Sequence, residues 1–298
     1  MLSALLGAVL MTACTPTPAA APPPAPALMT WADLAKLRQG KPDATVRYGD
    51  DPHQVVDVWR PAGAGPFPTI LMVHGGCWTT SIADRTLMNP IAADLRQRGY
   101  AVWNIDYRGV DRPGGGYPGT FADVASAADQ LAVDAARYGL DPRRVVAVGH
   151  SAGGHLALWL AARGRLPTRS PLRAQKPLPI AHVVSLGGLP DLQLALDETQ
   201  GCGPEPVRAL IGSGRADPFA DISIPRLVPL GVPQTLVNGE EDRIIPVGFA
   251  GRYAELARTA GDTVDVEMVA ATGHVELIAA TSAAWARTVA AIDRAFKR

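Results

Sequence analysis

The chain has 298 residues, 47% of them hydrophobic and 19% charged, with 28 Lys and Arg balanced by 28 Asp and Glu. That is enough apolar material for a large core, and zero net charge gives no sign of a nucleic-acid or anionic-surface partner. No apolar run reaches the roughly 18 residues needed to span a bilayer.

Residues 2–11 form a short apolar run that leads into Thr12-Ala13-Cys14. Small residues before a cysteine after such a run resemble a bacterial lipoprotein signal, which implies cleavage before Cys14 and its acylation. Met11 stands where leucine is usual, and no Lys or Arg precedes the run. Residues 15–29 are expected to be a tether, because the Pro, Ala and Thr that fill most of it offer little to bury and favour extended polyproline II. An anchored cysteine followed by a tether predicts an exported protein facing the periplasm or cell surface, with its only membrane contact through lipid on Cys14. A single folded domain is then expected over residues 30–298.

Thr30 reads as the N-cap of a short helix that ends by Gly40. A strand is predicted over 55–59, a turn over 61–68, and a continuous apolar strand over 69–73, as for a strand buried on both faces. It delivers His74-Gly75-Gly76-Cys77-Trp78. A helix over 87–98 and a strand over 101–105 follow, then a glycine-rich loop over 114–119 and a helix over 121–138 closed by Gly139. Val145 to Val148 run into Gly149-His150-Ser151-Ala152-Gly153 with a strong helix former behind, the G-x-S-x-G pattern of a nucleophile elbow. Serine at such a turn occupies a strained backbone, and side chains at the flanking positions would clash with neighbouring strand and helix.

The proline-rich, basic stretch over 164–179 reads as a surface loop. A strand over 181–186 precedes an irregular segment, 190–230, expected to wall the substrate site. A strand over 234–238, a helix over 247–260, a strand over 264–269 and a closing helix over 282–296 complete the chain. Alternating strands and helices predict an α/β fold with a mostly parallel sheet covered on both faces. Of the three cysteines, Cys77 and Cys202 could pair in an oxidising compartment, but two separate buried thiols are the preferred expectation.

A serine hydroxyl needs a base to take its proton and a carboxylate to orient that base. The elbow fold orders these as Ser, acid, His. Ser151 is therefore the expected nucleophile and His274, in the loop after the 264–269 strand, the expected base. His182 begins a buried strand and reads as structural. Asp242 is the expected acid, with Glu241 and Glu240 as alternatives; Glu276 is too close in chain to His274 and reads as a surface or supporting group. The amides of Gly76, Cys77 and Ala152 are expected to form the oxyanion hole. Trp78 either walls the substrate pocket or packs in the core.

These motifs, His74 to Trp78, Gly149 to Gly154, Gly239-Glu240-Glu241-Asp242 and Gly273-His274, resemble the α/β-hydrolase superfamily, more narrowly its bacterial esterase and lipase branch. Tyr107-Arg108-Gly109 and the stretch over 113–124 are similar to the same branch, and the likeness covers residues 45–298. Cys77 stands where a third glycine is frequent, and His150 where an aspartate is frequent, which leans toward the feruloyl-esterase-like and kynurenine-formamidase-like side rather than the hormone-sensitive-lipase-like side. The resemblance implies hydrolysis of a small-molecule carboxylic ester through an acyl-enzyme, with no metal and no cofactor, and loss of activity when the histidine base is protonated. An arylformamidase, or a non-catalytic envelope protein that keeps the fold, are the alternative readings.

Overall fold

In the computed structural model, which describes residues 27–37, 39–198 and 201–297, the apolar runs lie inside one eight-stranded sheet. Its strands are β1 (Ala44–Arg47), β2 (Val55–Trp59), β3 (Phe67–Val73), β4 (Ala101–Ile105), β5 (Leu140–His150), β6 (His182–Leu186), β7 (Gln234–Gly239) and β8 (Val264–Val269), in the order β1-β2-β4-β3-β5-β6-β7-β8. β1 and β2 pair antiparallel with their neighbours and the other strands are parallel. β5 is central, with Val146 and Val148 set against His182 and Val184 of β6 on one side and Ile70 and Met72 of β3 on the other.

Eight helices accompany the described strands: α1 (Trp31–Ala35), α2 (Asn89–Gln97), α3 (Gly119–Tyr138), α4 (Ala152–Ala162), α5 (Leu192–Asp197), α6 (Pro204–Ile211), α7 (Gly248–Thr259) and α8 (Ala283–Lys297). Successive strand residues point to opposite faces, so each strand feeds two cores. Leu71 and Val73 join Trp103, Phe121, Leu156, Trp159 and Tyr253 beneath α3, α4 and α7. Ile70 and Met72 join Leu34, Ile91, Leu95, Trp285 and Ile292 beneath α1, α2 and α8. Both faces being covered is why Ile70–Val73 of β3 and Val145–Val148 of β5 run apolar without alternation.

The differences from expectation have local causes. β1 escapes a periodicity reading because it alternates over only four residues at the sheet edge. α1 stops at Ala35, though Thr30 caps it as expected, in a reciprocal capping box with Asp33. α2 begins at Asn89 because a 3-10 turn, Arg85–Met88, precedes it, with the Asp84 carboxylate accepting the Thr86 amide at 2.8 Å. The expected tether boundary at residue 30 also falls late: the Leu28 side chain packs at Gly273, and the Met29 amide donates to Glu276. Cys14 and the expected signal lie outside the described residues.

The 190–230 segment does break into short helices, and helix α4 holds it in place. His155 Nε2 lies 2.7 Å from the Ile222 carbonyl oxygen, and Trp159 Nε1 donates to the Asp221 carbonyl at 2.8 Å. The basic loop over 164–179 is tied down too. Arg163 at its root forms a bidentate pair with Asp129, which also accepts the Leu178 amide.

Candidate active site

Where β5 meets α4 the chain reverses at Ser151, whose φ of +55° lies in the left-handed region that side chains rarely adopt. The Ser151 amide donates to the Leu186 carbonyl at 2.8 Å, which ties the turn to β6. The flanking glycines are required sterically. A Cβ on Gly149 would lie 2.0 Å from the Gly153 carbonyl oxygen, and one on Gly153 would lie 2.2 Å from that of Val73.

Ser151 opens into a cavity of about 300 Å³ that His274, His150, Gly76 and Cys77 also line, with an apolar wall that includes Trp31, Ile82, Leu87 and Ile244. The sheet topology explains the convergence: Ser151, the loop after β7 and the loop after β8 all leave the C-terminal edge of parallel strands, where α/β folds place their sites. His274 Nδ1 is 2.7 Å from Asp242 Oδ2, and both side chains are almost wholly buried. The other Asp242 oxygen accepts the amides of Ile244 and Ile245 at 2.8 and 2.9 Å. With the carboxylate accepting the Nδ1 proton, Nε2 is the nitrogen left with its lone pair. Glu240 and Glu241, the alternative acids, are exposed.

Two further groups position the histidine loop. Glu276, expected at the surface or in support, is buried, and it accepts the Gly273 amide as well as that of Met29. His150 is buried with its Nε2 3.1 Å from the His274 carbonyl oxygen, and the two rings sit 4.4 Å apart. Burial, then the neighbouring charge of His274, hold His150 well below the ordinary histidine range. It is a neutral brace for the loop. His182 lies on β6 with its Nε2 2.9 Å from the Thr235 hydroxyl, a structural place as expected.

The loop after β3 carries Gly76 at φ +101°, Cys77 at +51° and Trp78 at +55°, three successive residues in the left-handed region. Such a run persists only when its surroundings fix it. Behind it, His74 Nε2 lies 3.1 Å from Asp106 Oδ1 and its Nδ1 2.7 Å from the Gly75 carbonyl oxygen, while Tyr107 stacks on the His74 ring and donates to its carbonyl. Burial pushes the Asp106 carboxyl up, but the His74 hydrogen bond and the charges of His74 and His53 leave it below the usual range. Ahead of the loop, the Val110 amide donates to the Trp78 carbonyl at 2.7 Å, and Arg108 is clamped to Asp123 at 2.8 Å through two nitrogens. Sequence reading passed over this support; the acidic and basic partners are separated in chain, and only the Tyr107-Arg108-Gly109 motif marked it.

Two expectations are corrected here. Cys77 and Cys202 are not separate thiols but a disulfide, with Cα atoms 5.5 Å apart across a sequence separation of 125. The folded 190–230 segment returns Cys202 to the loop after β3, which no spacing rule could reveal. Trp78 does not wall the cavity: it is fully buried in the first core, edge-on to His155 at 5.6 Å. The tryptophan in the wall is Trp31, from α1. Gly76 and Cys77 do reach the cavity, and Ala152 begins α4 beside Ser151. Among the described residues, no group of three or more His, Cys, Asp or Glu could hold a metal ion.

A mostly parallel sheet with an elbow serine, a carboxylate-held histidine and a glycine loop at one edge defines the esterase and lipase branch of the α/β-hydrolases. More narrowly, the chain belongs to the BD-FAE family, whose model matches residues 56–252. It is 28% identical over 229 residues to the esterase LipC of Mycobacterium tuberculosis, covering 72% of this chain and 54% of that protein. The chain thus spans about half the length of the curated relative. A bacterial heroin esterase shares its fold at a TM-score of 0.67 and 25% identity, covering 90% of this chain and 87% of the other. A truncated carbohydrate esterase from gut microbiota aligns at a TM-score of 0.73 and 19% identity, covering 88% and 99%.

Proposed function

We propose that the chain is a serine carboxylesterase acting on small or aryl esters, with Ser151 as nucleophile, His274 as general base and Asp242 as the orienting acid. The observation that carries this reading is one cavity that holds a strained elbow serine and a histidine whose Nδ1 is fixed 2.7 Å from a buried carboxylate. His274 takes the Ser151 proton as Oγ attacks the ester carbonyl carbon. The negative charge that develops on the carbonyl oxygen is met by the amides of Gly76, Cys77 and Ala152, each donor lowering the barrier by about 3–4 kcal/mol. The intermediate collapses with His274 returning the proton to the departing alkoxide, and water then repeats the sequence on the acyl-enzyme. That relatives bear the names esterase and probable carboxylic ester hydrolase supports an ester over a formamide.

Ser151→Ala should abolish turnover of p-nitrophenyl acetate and labelling by a fluorophosphonate probe. Turnover by the variant at the wild-type rate would remove Ser151 from the mechanism.

A further inference from the structure

We propose that Trp31 selects the alcohol moiety of the ester, and that the groove running past it receives an apolar, preferably aromatic, alcohol group; this rests on the esterase reading above. Trp31 is 44% exposed, an unusual state for so large an apolar side chain. Its ring lies edge-on to His274 at 6.2 Å and to His150 at 6.3 Å. Ile82, which lines the same cavity, is 62% exposed. Large apolar side chains left open together in one cleft mark a surface meant to be covered.

The placement of Trp31 is held from several directions. Leu34, one turn on, is buried in the second core, with Met29 and Leu37 packed against that core. Glu276 accepts the amides of both Met29 and Gly273, so a single carboxylate registers the N-terminal segment against the His274 loop. Trp31 therefore keeps a fixed place relative to His274.

The chemistry decides which half of the ester it meets. The departing oxygen must lie within hydrogen-bond reach of His274 to collect its proton. The carbon bonded to that oxygen emerges beside the His274 ring, which is the ring Trp31 flanks. Beyond Trp31 a second groove of about 360 Å³ continues along Leu34 and Ala35 to Gln39 and Thr86, and it shares Trp31, Ile82 and Leu87 with the cavity at Ser151. An extended alcohol group thus has an apolar path with a polar end. A flat aromatic group can also stack on the indole, a preference an aliphatic wall would not create.

Two ester series test this on the full chain: acetates of ethanol, p-nitrophenol and 2-naphthol, and p-nitrophenyl esters of lengthening acyl chain. Trp31→Ala should lower kcat/KM for 2-naphthyl acetate by about tenfold through KM, with a change of about twofold or less for ethyl acetate and an unaltered acyl ranking. Trp31→Phe should retain most of the naphthyl preference. An equal loss on every ester, a shift in the acyl ranking instead, or no change at all would each overturn the assignment. If Trp31→Ala fails to give a cooperative thermal transition, Ile82→Ala, in the same cavity and groove, must lower the naphthyl preference, and an unchanged preference there counts against the proposal. A wild type that hydrolyses none of the esters and is not labelled at Ser151 would instead remove the esterase reading.

Discussion

Asp242 and the two glutamates before it differ little in sequence, and the fold separates them by burial and by hydrogen bonding. Asp242 is enclosed, with one oxygen committed to two backbone amides and the other to His274, whereas Glu240 and Glu241 face solvent. A carboxylate so fixed holds one imidazole tautomer and stabilises the imidazolium that forms when Ser151 is deprotonated. Asp242→Asn keeps the shape but presents an amide to Nδ1. The expected loss is about 10³–10⁴-fold in kcat with little change in KM, read from p-nitrophenyl acetate kinetics. Glu240→Gln and Glu241→Gln should leave both constants near wild type. A loss under about tenfold for Asp242→Asn would mean that another group orients His274.

The element that sequence reading described least well is the loop after β3. Its glycines and its place after a buried strand were legible, because they follow from close backbone approach at the end of a parallel strand. Its supports were not. His74, Asp106, Arg108 and Asp123 meet through tertiary contacts between separate segments, and Cys202 arrives from a segment with no periodicity to read. Trp78 and Trp31 traded places for the same reason: adjacency to a motif suggested a pocket wall, whereas α1 is short and comes from the far end of the chain. By contrast, β4, β6, β7 and β8 were legible to within a residue, whereas β5 begins at Leu140, five residues before its apolar run, because its polar start at Asp141 to Arg144 gives no strand pattern. The disulfide gives this element a measurable property. It links positions 125 apart in the chain and joins the strained Cys77 backbone to the wall segment at Gly201 and Cys202. Removing it should cost about 2–5 kcal/mol of stability. It should also lower kcat, because the Cys77 amide is a proposed oxyanion donor. Cys202→Ser, or treatment with dithiothreitol, should therefore lower the melting temperature and kcat together while fluorophosphonate still labels Ser151. Unchanged kcat in fully reduced protein would show that the loop keeps its shape without the bridge.

Taken as a whole, the molecule balances 28 basic against 28 acidic side chains at pH 7, and on mild acidification the buried groups whose titration the fold displaces make its stability depend on pH. His155 is fully buried between Trp78 and Phe121, and burial pulls it down to about 4 despite the Ile222 carbonyl, which favours the charged ring. An ordinary histidine titrates at about 6.5. The unfolded chain therefore binds a proton that the folded chain refuses between these two values. Stability is complete above about pH 6.5, falls as the pH drops toward 4, and levels off once the folded ring also protonates. A shift of this size corresponds to about 3 kcal/mol from His155 alone. His150 acts in the same direction. Asp106 does not compete in this window, because a carboxyl held below its usual range withdraws its stabilisation only at lower pH. His155→Gln isolates the effect, since the amide can still donate to the Ile222 carbonyl but cannot take up a proton. Urea unfolding at a series of pH values between 4 and 7 should show a steep loss of stability for the wild type and a shallower one for the variant. Because His155 anchors the 190–230 segment to α4, the same acidification should loosen that segment first, read as faster amide exchange at Asp221 and Ile222. Identical pH slopes for the two proteins would show that His155 is not the group that titrates.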